Sequence, residues 1–345
     1  METLDQQLTK KILFLQRYQP ESLVQIEKQL LLAQDEIIKL LATTKNKTVL
    51  KAKITELINE AFTTFEGVLI NNDIPEITAL SYAVVGNIML DYSTGIKFKP
   101  TKKTALNKLK DPNIEVMGYK LQDHFNHLSY TTKRNLQGAI VNGFNQGDGI
   151  ETISNNIKNI VGNVSRHQAR TIARTTILNK IDEAQNEVFK EFEDVIIEYR
   201  YSATIDGRTS KVCTYMANRV YKKKEDAPYQ PKNHWNCRSL WIPETEISKK
   251  LREENTIITQ WDSKTVNHRD GTTSTKFKVD KTIKVPNGIT GPKMFEYFDE
   301  SYKKQYLGAT RYKLYKDGKA TLTQMIDLSK NAFIPLNELK AKLKS

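Results

Sequence analysis

Residues 200–243, RYSATIDGRTSKVCTYMANRVYKKKEDAPYQPKNHWNCRSLWIP, hold both cysteines of the chain, two of its three tryptophans and its only His-x-x-Cys. Tyr199 to Ala203 has the aromatic character of a strand, and Asp206-Gly207 is a turn pair whose glycine accepts positive φ. Cys213 follows, then Arg219-Val220-Tyr221, a charged loop bounded by Pro228 and Pro231, and the run His234, Cys237, Arg238. Ser239 to Ile242 reads as a second apolar strand ending at Pro243. Two strands bracket a polar, reactive loop, so this part of the chain is α+β.

Three side chains in that loop suit zinc. Cys213, His234 and Cys237 stand at the spacing Cys-x20-His-x2-Cys, with Asp206 as a fourth candidate ligand. The pattern is looser than two paired Cys-x-x-Cys units, and a buried thiol pair or a Cys213–Cys237 disulfide stays open beside it. A thiol nucleophile with His234 as base lacks any sign of an oxyanion hole or an orienting third group. A metal-assisted nuclease built on Asp206 and His234 needs more carboxylates than the loop carries. Arg208, Thr209 and Arg238 read as hydrogen-bonding pegs that fix the loop to its strands. No complete catalytic set is present, so the expectation is a structural unit, with a metal-assisted nuclease or transferase as the alternative.

The order Asp206, Arg208, Thr209, Cys213, Pro231, His234, Cys237, Arg238 resembles the signature of the phage Mu protein F-like, or phage head morphogenesis, proteins. Two positions depart from that pattern, Lys211 and Ser239, where family members usually have further cysteines; a four-cysteine metal site is thereby excluded. Upstream, Ala169-Arg170-Thr171-Ile172-Ala173-Arg174-Thr175-Thr176 is similar to the family's Ile-Ala-Arg-Thr-Glu helix, with Thr176 in place of the Glu. Downstream, Tyr302 to Arg311 resembles its Gln-x-x-x-Leu-Gly-x-x-Arg segment. The resemblance runs over roughly residues 130–345. It implies a minor head (minor capsid) protein of a bacteriophage, acting in procapsid assembly near the portal. The partners implied are the portal protein, other head proteins and viral double-stranded DNA. The location implied is the capsid interior of the virion, reached from the host cytoplasm.

The rest of the chain is dominated by helical spacing. Leu4, Leu8, Ile12 and Leu15 share one face; Pro20-Glu21-Ser22 opens a second helix through Leu41; a third runs from Val49 to Phe65; and Pro75 can start another. Lys97, Lys99, Lys102, Lys103, Lys108 and Lys110 follow without an intervening acid, a run suited to phosphate contacts. From Thr131 the helical pattern returns, Asn145 to Gly149 is a stop and restart, and Ser165 is read as the cap of a long helix reaching Glu193. Arg166, Arg170 and Arg174 line one face of it. At the start of a helix three cations oppose the dipole, which calls for negative charge from DNA, a partner or elsewhere in the fold. Residues 262–290 are Ser/Thr-rich and read as an exposed excursion, with Asp270-Gly271 suited to the turn of a hairpin. Helices resume after Gly291-Pro292.

Length and charge set the outer bounds. The 345 residues carry 53 Lys and Arg against 40 Asp and Glu, a net +13 that favours a polyanionic neighbour. Two cysteines suit folding in a reducing compartment, and no apolar run approaches the ~20 residues of a membrane span. The reading is therefore a predominantly helical α+β protein without membrane contact. Its expected parts are an N-terminal helical scaffold over 1–130, a head-morphogenesis domain over 131–256, an exposed insertion over 257–290 and a C-terminal helical segment over 291–345.

Overall fold

The computed structural model describes residues 20–44, 46–98, 114–203, 205, 209–251, 255–267 and 273–343, with Leu4, Gln7, Leu8, Lys10, Lys11 and Leu15 before them; the side chains of 163, 164, 255–267 and 273–280 are outside the description. Helix α1 (Glu21–Thr43) buries Leu23, Ile26, Leu30, Ala33, Ile37 and Leu41, the stripe its spacing dictates. Its first turn is capped from a distance, because the Asp73 carboxylate accepts the amides of Glu21 and Ser22 at 2.9 and 3.0 Å. A carboxylate there also complements the helix dipole. Asn46 caps α2 (Lys47–Val68) by accepting the amides of Thr48 and Val49.

Where the sequence predicts a break between the third helix and the one at Pro75, the backbone stays helical. A π turn, Leu69–Asp73, leads directly into α3 (Ile74–Asp91), and the residues flanking it are right-handed helical. Proline lacks an amide hydrogen, and the wider π turn absorbs the missing bond that would have stopped an α-helix. A two-residue turn, Met117 and Gly118 with φ of 54° and 79°, joins β1 (Glu115–Val116) to β2 (Tyr119–Lys120). Helix α4 (Leu121–Gln146) then ends at Gly147 in the left-handed conformation, the stop anticipated there.

Helix α5 (Ile150–Asn159) passes through another π turn, Ile160–Ser165, into α6 (Arg166–Glu191), and Ser165 itself is right-handed helical and caps nothing. Its hydroxyl instead meets Thr132 Oγ1 at 2.8 Å and donates to the Ile160 carbonyl at 3.1 Å. Arg166, Arg170 and Arg174 therefore lie in the interior of a continuous helical run, away from a dipole end. One apolar core joins α1 to α6, from Leu15 to Ile181, with Phe65 packed edge-on against Phe125 at 5.0 Å. The position 130/131 falls inside α4.

After α6 the chain forms a small antiparallel sheet in the order β4-β3-β5, from β3 (Ile196–Ser202), β4 (Val220–Tyr221) and β5 (Leu240–Thr245), with α7 (Lys211–Met216) between β3 and β4. All of β5 is buried, including Glu244, which receives the Arg200 guanidinium at 2.8 Å. A second core seats this sheet on α3 and the end of α6 through Tyr82, Val85, Met89, Val188, Phe189, Tyr201 and Trp241. Helix α8 (Glu246–Lys250) follows. The Ser/Thr-rich stretch is a two-stranded hairpin of β6 (Asn255–Asn267) and β7 (Thr273–Pro286), and Asp270-Gly271 falls outside the described residues.

The C-terminal part is α9 (Gly291–Met294), α10 (Glu300–Leu307), α11 (Ala309–Lys316), α12 (Leu322–Met325), the pair β8 (Ile326–Asp327) and β9 (Ala332–Phe333), and α13 (Leu336–Lys342). Spacing alone suggests one helix from Tyr302 to Tyr315, but Gly308 at φ 74° divides it. Helix α12 ends at Met325, because Ile326 pairs with Phe333 as a strand. Gly291 is required by packing: a Cβ there would stand 1.8 Å from the Thr214 carbonyl of α7. The last segment is thus pressed directly against the helix that carries Cys213.

Candidate metal centre

Cys213 is set by the N-terminus of α7. Ser210 caps that helix by accepting the Cys213 amide at 3.1 Å, and the Val212 amide reaches Asn331 Oδ1 at 3.0 Å, so the sulfur is fixed from both sides. His234 and Cys237 come from the loop before β5, where the Cys237 amide donates to the His234 carbonyl at 3.2 Å. Two residues of this loop, Lys232 and Asn236, have φ of 65° and 56°, a left-handed backbone that bends it back over α7. The loop is tied to α6 as well, because the Asn236 amide donates to Thr175 Oγ1 at 3.1 Å.

These ties bring the Sγ atoms of Cys213 and Cys237 and a ring nitrogen of His234 within 4.8 Å of one another. Cys213 Sγ lies 3.1 Å from His234 Nε2 and 3.8 Å from Cys237 Sγ, and both cysteines are buried and unbridged. The other His234 nitrogen, Nδ1, faces the Trp235 carbonyl at 3.0 Å, which selects the tautomer that leaves Nε2 free to accept or ligate. The Lys232 amide donates to Cys237 Sγ at 3.3 Å, while its ammonium holds the carbonyls of Cys237 and Ser239 at 3.2 and 2.7 Å. On the other side Tyr201 Oη is 3.4 Å from Cys213 Sγ.

The two thiols are unequal. Hydrogen bonding from Cys213, with further help from His234 and Lys232, holds the Cys237 thiol far below its ordinary value against the opposing effect of burial. The bond to Cys237 and burial push Cys213 up. Burial lowers His234, but its contacts with Cys237 outweigh that and the net direction is upward. Burial and the neighbouring Cys213 keep Tyr201 a neutral phenol, able to donate. With the Lys232 amide at one sulfur and the Tyr201 hydroxyl at the other, the site is arranged for negative sulfur.

Of the residues expected here from sequence, the structure brings together Cys213, His234 and Cys237. Asp206 and Arg208 lie outside the described residues; Thr209 is buried and Arg238 half-buried beside the loop. Sequence reasoning passes over Lys232, Tyr201 and Thr175. Thr175 carries a signal, since it belongs to the Ala-Arg-Thr stretch, and its contact with Asn236 explains why that helix and the loop form one unit. The expected basic surface is only partly described. Lys97 is exposed, whereas Lys99, Lys102, Lys103, Lys108 and Lys110 fall outside. Arg170 and Arg174 are exposed on α6 and Arg166 is half-buried; Arg170 meets Glu27 of α1 at 3.4 Å, so part of the charge it was expected to find outside the fold is supplied within it.

No curated protein and no solved structure matches this chain. Among the described residues no helix is long and apolar enough to cross a membrane. A protein-family model described as Phage Mu protein F like protein matches residues 134–242, a span that begins in α4 and ends in β5 and takes in every residue of the Cys/His cluster. The chain therefore carries a domain of the phage Mu protein F-like family, a family of phage head morphogenesis proteins.

Proposed function

We propose that this chain is a minor head protein that joins the assembling phage head near the portal and touches viral DNA there. The observation that carries this reading is the family match on residues 134–242, the part that forms α6 and the Cys/His sheet module. Supporting it, the chain is strongly basic at +13, and α6 presents Arg170 and Arg174 on its exposed side. Such a surface suits sequence-independent phosphate contact, with affinity that falls steeply with salt. The metal-assisted nuclease reading has less support, because the cluster found among the described residues is two thiols and an imidazole without a carboxylate.

The test is fractionation of infected cells producing the tagged full-length chain. It is expected to sediment with procapsids and mature heads, and to be lost from heads assembled without portal. A chain that stays entirely in the unassembled fraction would remove the head-protein reading. Plasmid nicking that depends on added divalent metal would replace it with the nuclease.

A further inference from the structure

We propose that Cys213, His234 and Cys237 bind one zinc ion, which acts as a structural staple between α7 and the loop that leads into β5. Two thiolates held ~2.3 Å from one zinc ion at the tetrahedral angle stand about 3.8 Å apart, and the two sulfurs here stand 3.8 Å apart. A disulfide would require about 2.05 Å. A thiolate and an imidazole nitrogen on the same ion stand about 3.6 Å apart, so the 3.1 Å between Cys213 Sγ and His234 Nε2 needs only a small retreat of the ring.

The surroundings of the ligands fit the same ion. His234 turns Nε2 into the cluster because Nδ1 is engaged by the Trp235 carbonyl, the orienting contact that zinc-bound imidazoles use. Cys237 Sγ accepts the Lys232 amide and Cys213 Sγ is met by the Tyr201 hydroxyl, which stabilise sulfur in its anionic, metal-binding form. Soft thiolate with imidazole favours zinc over the oxygen-seeking magnesium and calcium. Loading a divalent ion sends two protons to solvent, one from Cys213 and one from the pair formed by Cys237 and His234. The role is a staple because the ligands come from two segments, α7 and the pre-β5 loop, that are joined to each other by little regular structure. One end of the staple also carries the C-terminal segment, through Gly291 against Thr214 and through Tyr306, whose hydroxyl donates to Thr214 Oγ1 at 3.1 Å.

The test is metal analysis of the full-length chain made in zinc-replete cells and purified under inert, reducing buffer. About one zinc per chain is expected, falling at least fivefold in Cys237→Ser and in His234→Ala. Stripping the ion with a chelator should lower Tm by about 5–10 °C, with recovery on adding zinc. Should the cysteine variant fail to fold, cobalt(II) loaded into the unaltered chain gives an independent reading. A thiolate-to-cobalt charge-transfer band and the visible spectrum of a tetrahedral ion, three protein ligands with water in the fourth position, are expected. The proposal is overturned by an unaltered chain that arrives without zinc and shows no such band on cobalt addition. It is overturned equally by a Cys213–Cys237 disulfide in the reduced preparation, or by metal content that His234→Ala leaves unchanged.

Discussion

The helical half of the molecule and the sheet module are held together by different physics. From α1 to α6 stability comes from periodic apolar burial, where dozens of side chains each contribute and polar contacts mostly trim the ends. In the module a six-residue helix and three short strands share an apolar core with α3 and the end of α6, and add to it a few dense polar devices: the buried Arg200–Glu244 pair, the sulfur cluster and the left-handed loop residues. Damage to the first region is therefore graded by volume, whereas damage to the second is decided by whether a buried polar group keeps its partner.

The largest effect is expected where the apolar half is hollowed out. Phe65 is fully buried against Phe125, and Phe65→Ala should cost about 3–5 kcal/mol by cavity formation. Denaturant unfolding measures it, and a cost under about 1 kcal/mol would mean that this core repacks freely. Nearly as large is the removal of one member of the buried ion pair. Arg200→Gln leaves the buried Glu244 carboxylate without its guanidinium and should cost roughly 3 kcal/mol, while the joint replacement Arg200→Met with Glu244→Leu should return most of that. If the double variant is as unstable as the single, the pair matters for specific contacts beyond its own charge balance, and the contrast between the two regions weakens.

Much of the helical half was legible because period 3.6 is a redundant signal: α1 could lose any one of Leu23, Ile26 or Leu30 from the pattern and still read as a helix. What that signal cannot reveal is continuity. Pro75 and Ser165 look like starts in sequence, yet each sits in or beside a π turn, because a wider turn can absorb a missing amide or a back-bonded hydroxyl. The Cys/His cluster was legible only as a set of residue types. Its assembly depends on Lys232 and Asn236 taking a left-handed backbone and on an amide-to-Thr175 bond across 61 positions, none of which has a periodicity to read.

Thr175 offers a sharper cut, since it carries one of the directed bonds between the two regions, beside Lys224 to Asn186 and Thr245 to the Tyr92 carbonyl. Thr175→Val keeps the shape and removes the acceptor of the Asn236 amide, for an expected cost of about 1–2 kcal/mol. Hydrogen exchange should then rise in the loop around Asn236 more than in α1 or α2. Uniform acceleration across both regions would show that they unfold as one cooperative unit.

The smallest stability effect is expected at Arg170, and its smallness is informative. Were α6 to begin at Arg166, three arginines would crowd the positive end of a dipole and the fold would need their neutralisation. The helical run instead passes unbroken from α5 through the π turn, so the dipole end lies about 16 residues earlier, at Ile150, and exerts little on Arg170. What remains is its pair with Glu27 at 3.4 Å, with both side chains more than a third exposed, and such pairs are worth about 0–1 kcal/mol. Arg170→Gln should therefore leave Tm within about 2 °C of the unaltered chain. Its effect on DNA is separable from stability: removing one phosphate-binding cation should reduce the slope of log affinity against log salt by about 1. An unchanged Tm with a reduced slope places Arg170 on the nucleic-acid surface. A fall of several degrees with an unchanged slope makes it a peg between α6 and α1 and moves the phosphate contact to other basic residues of the chain.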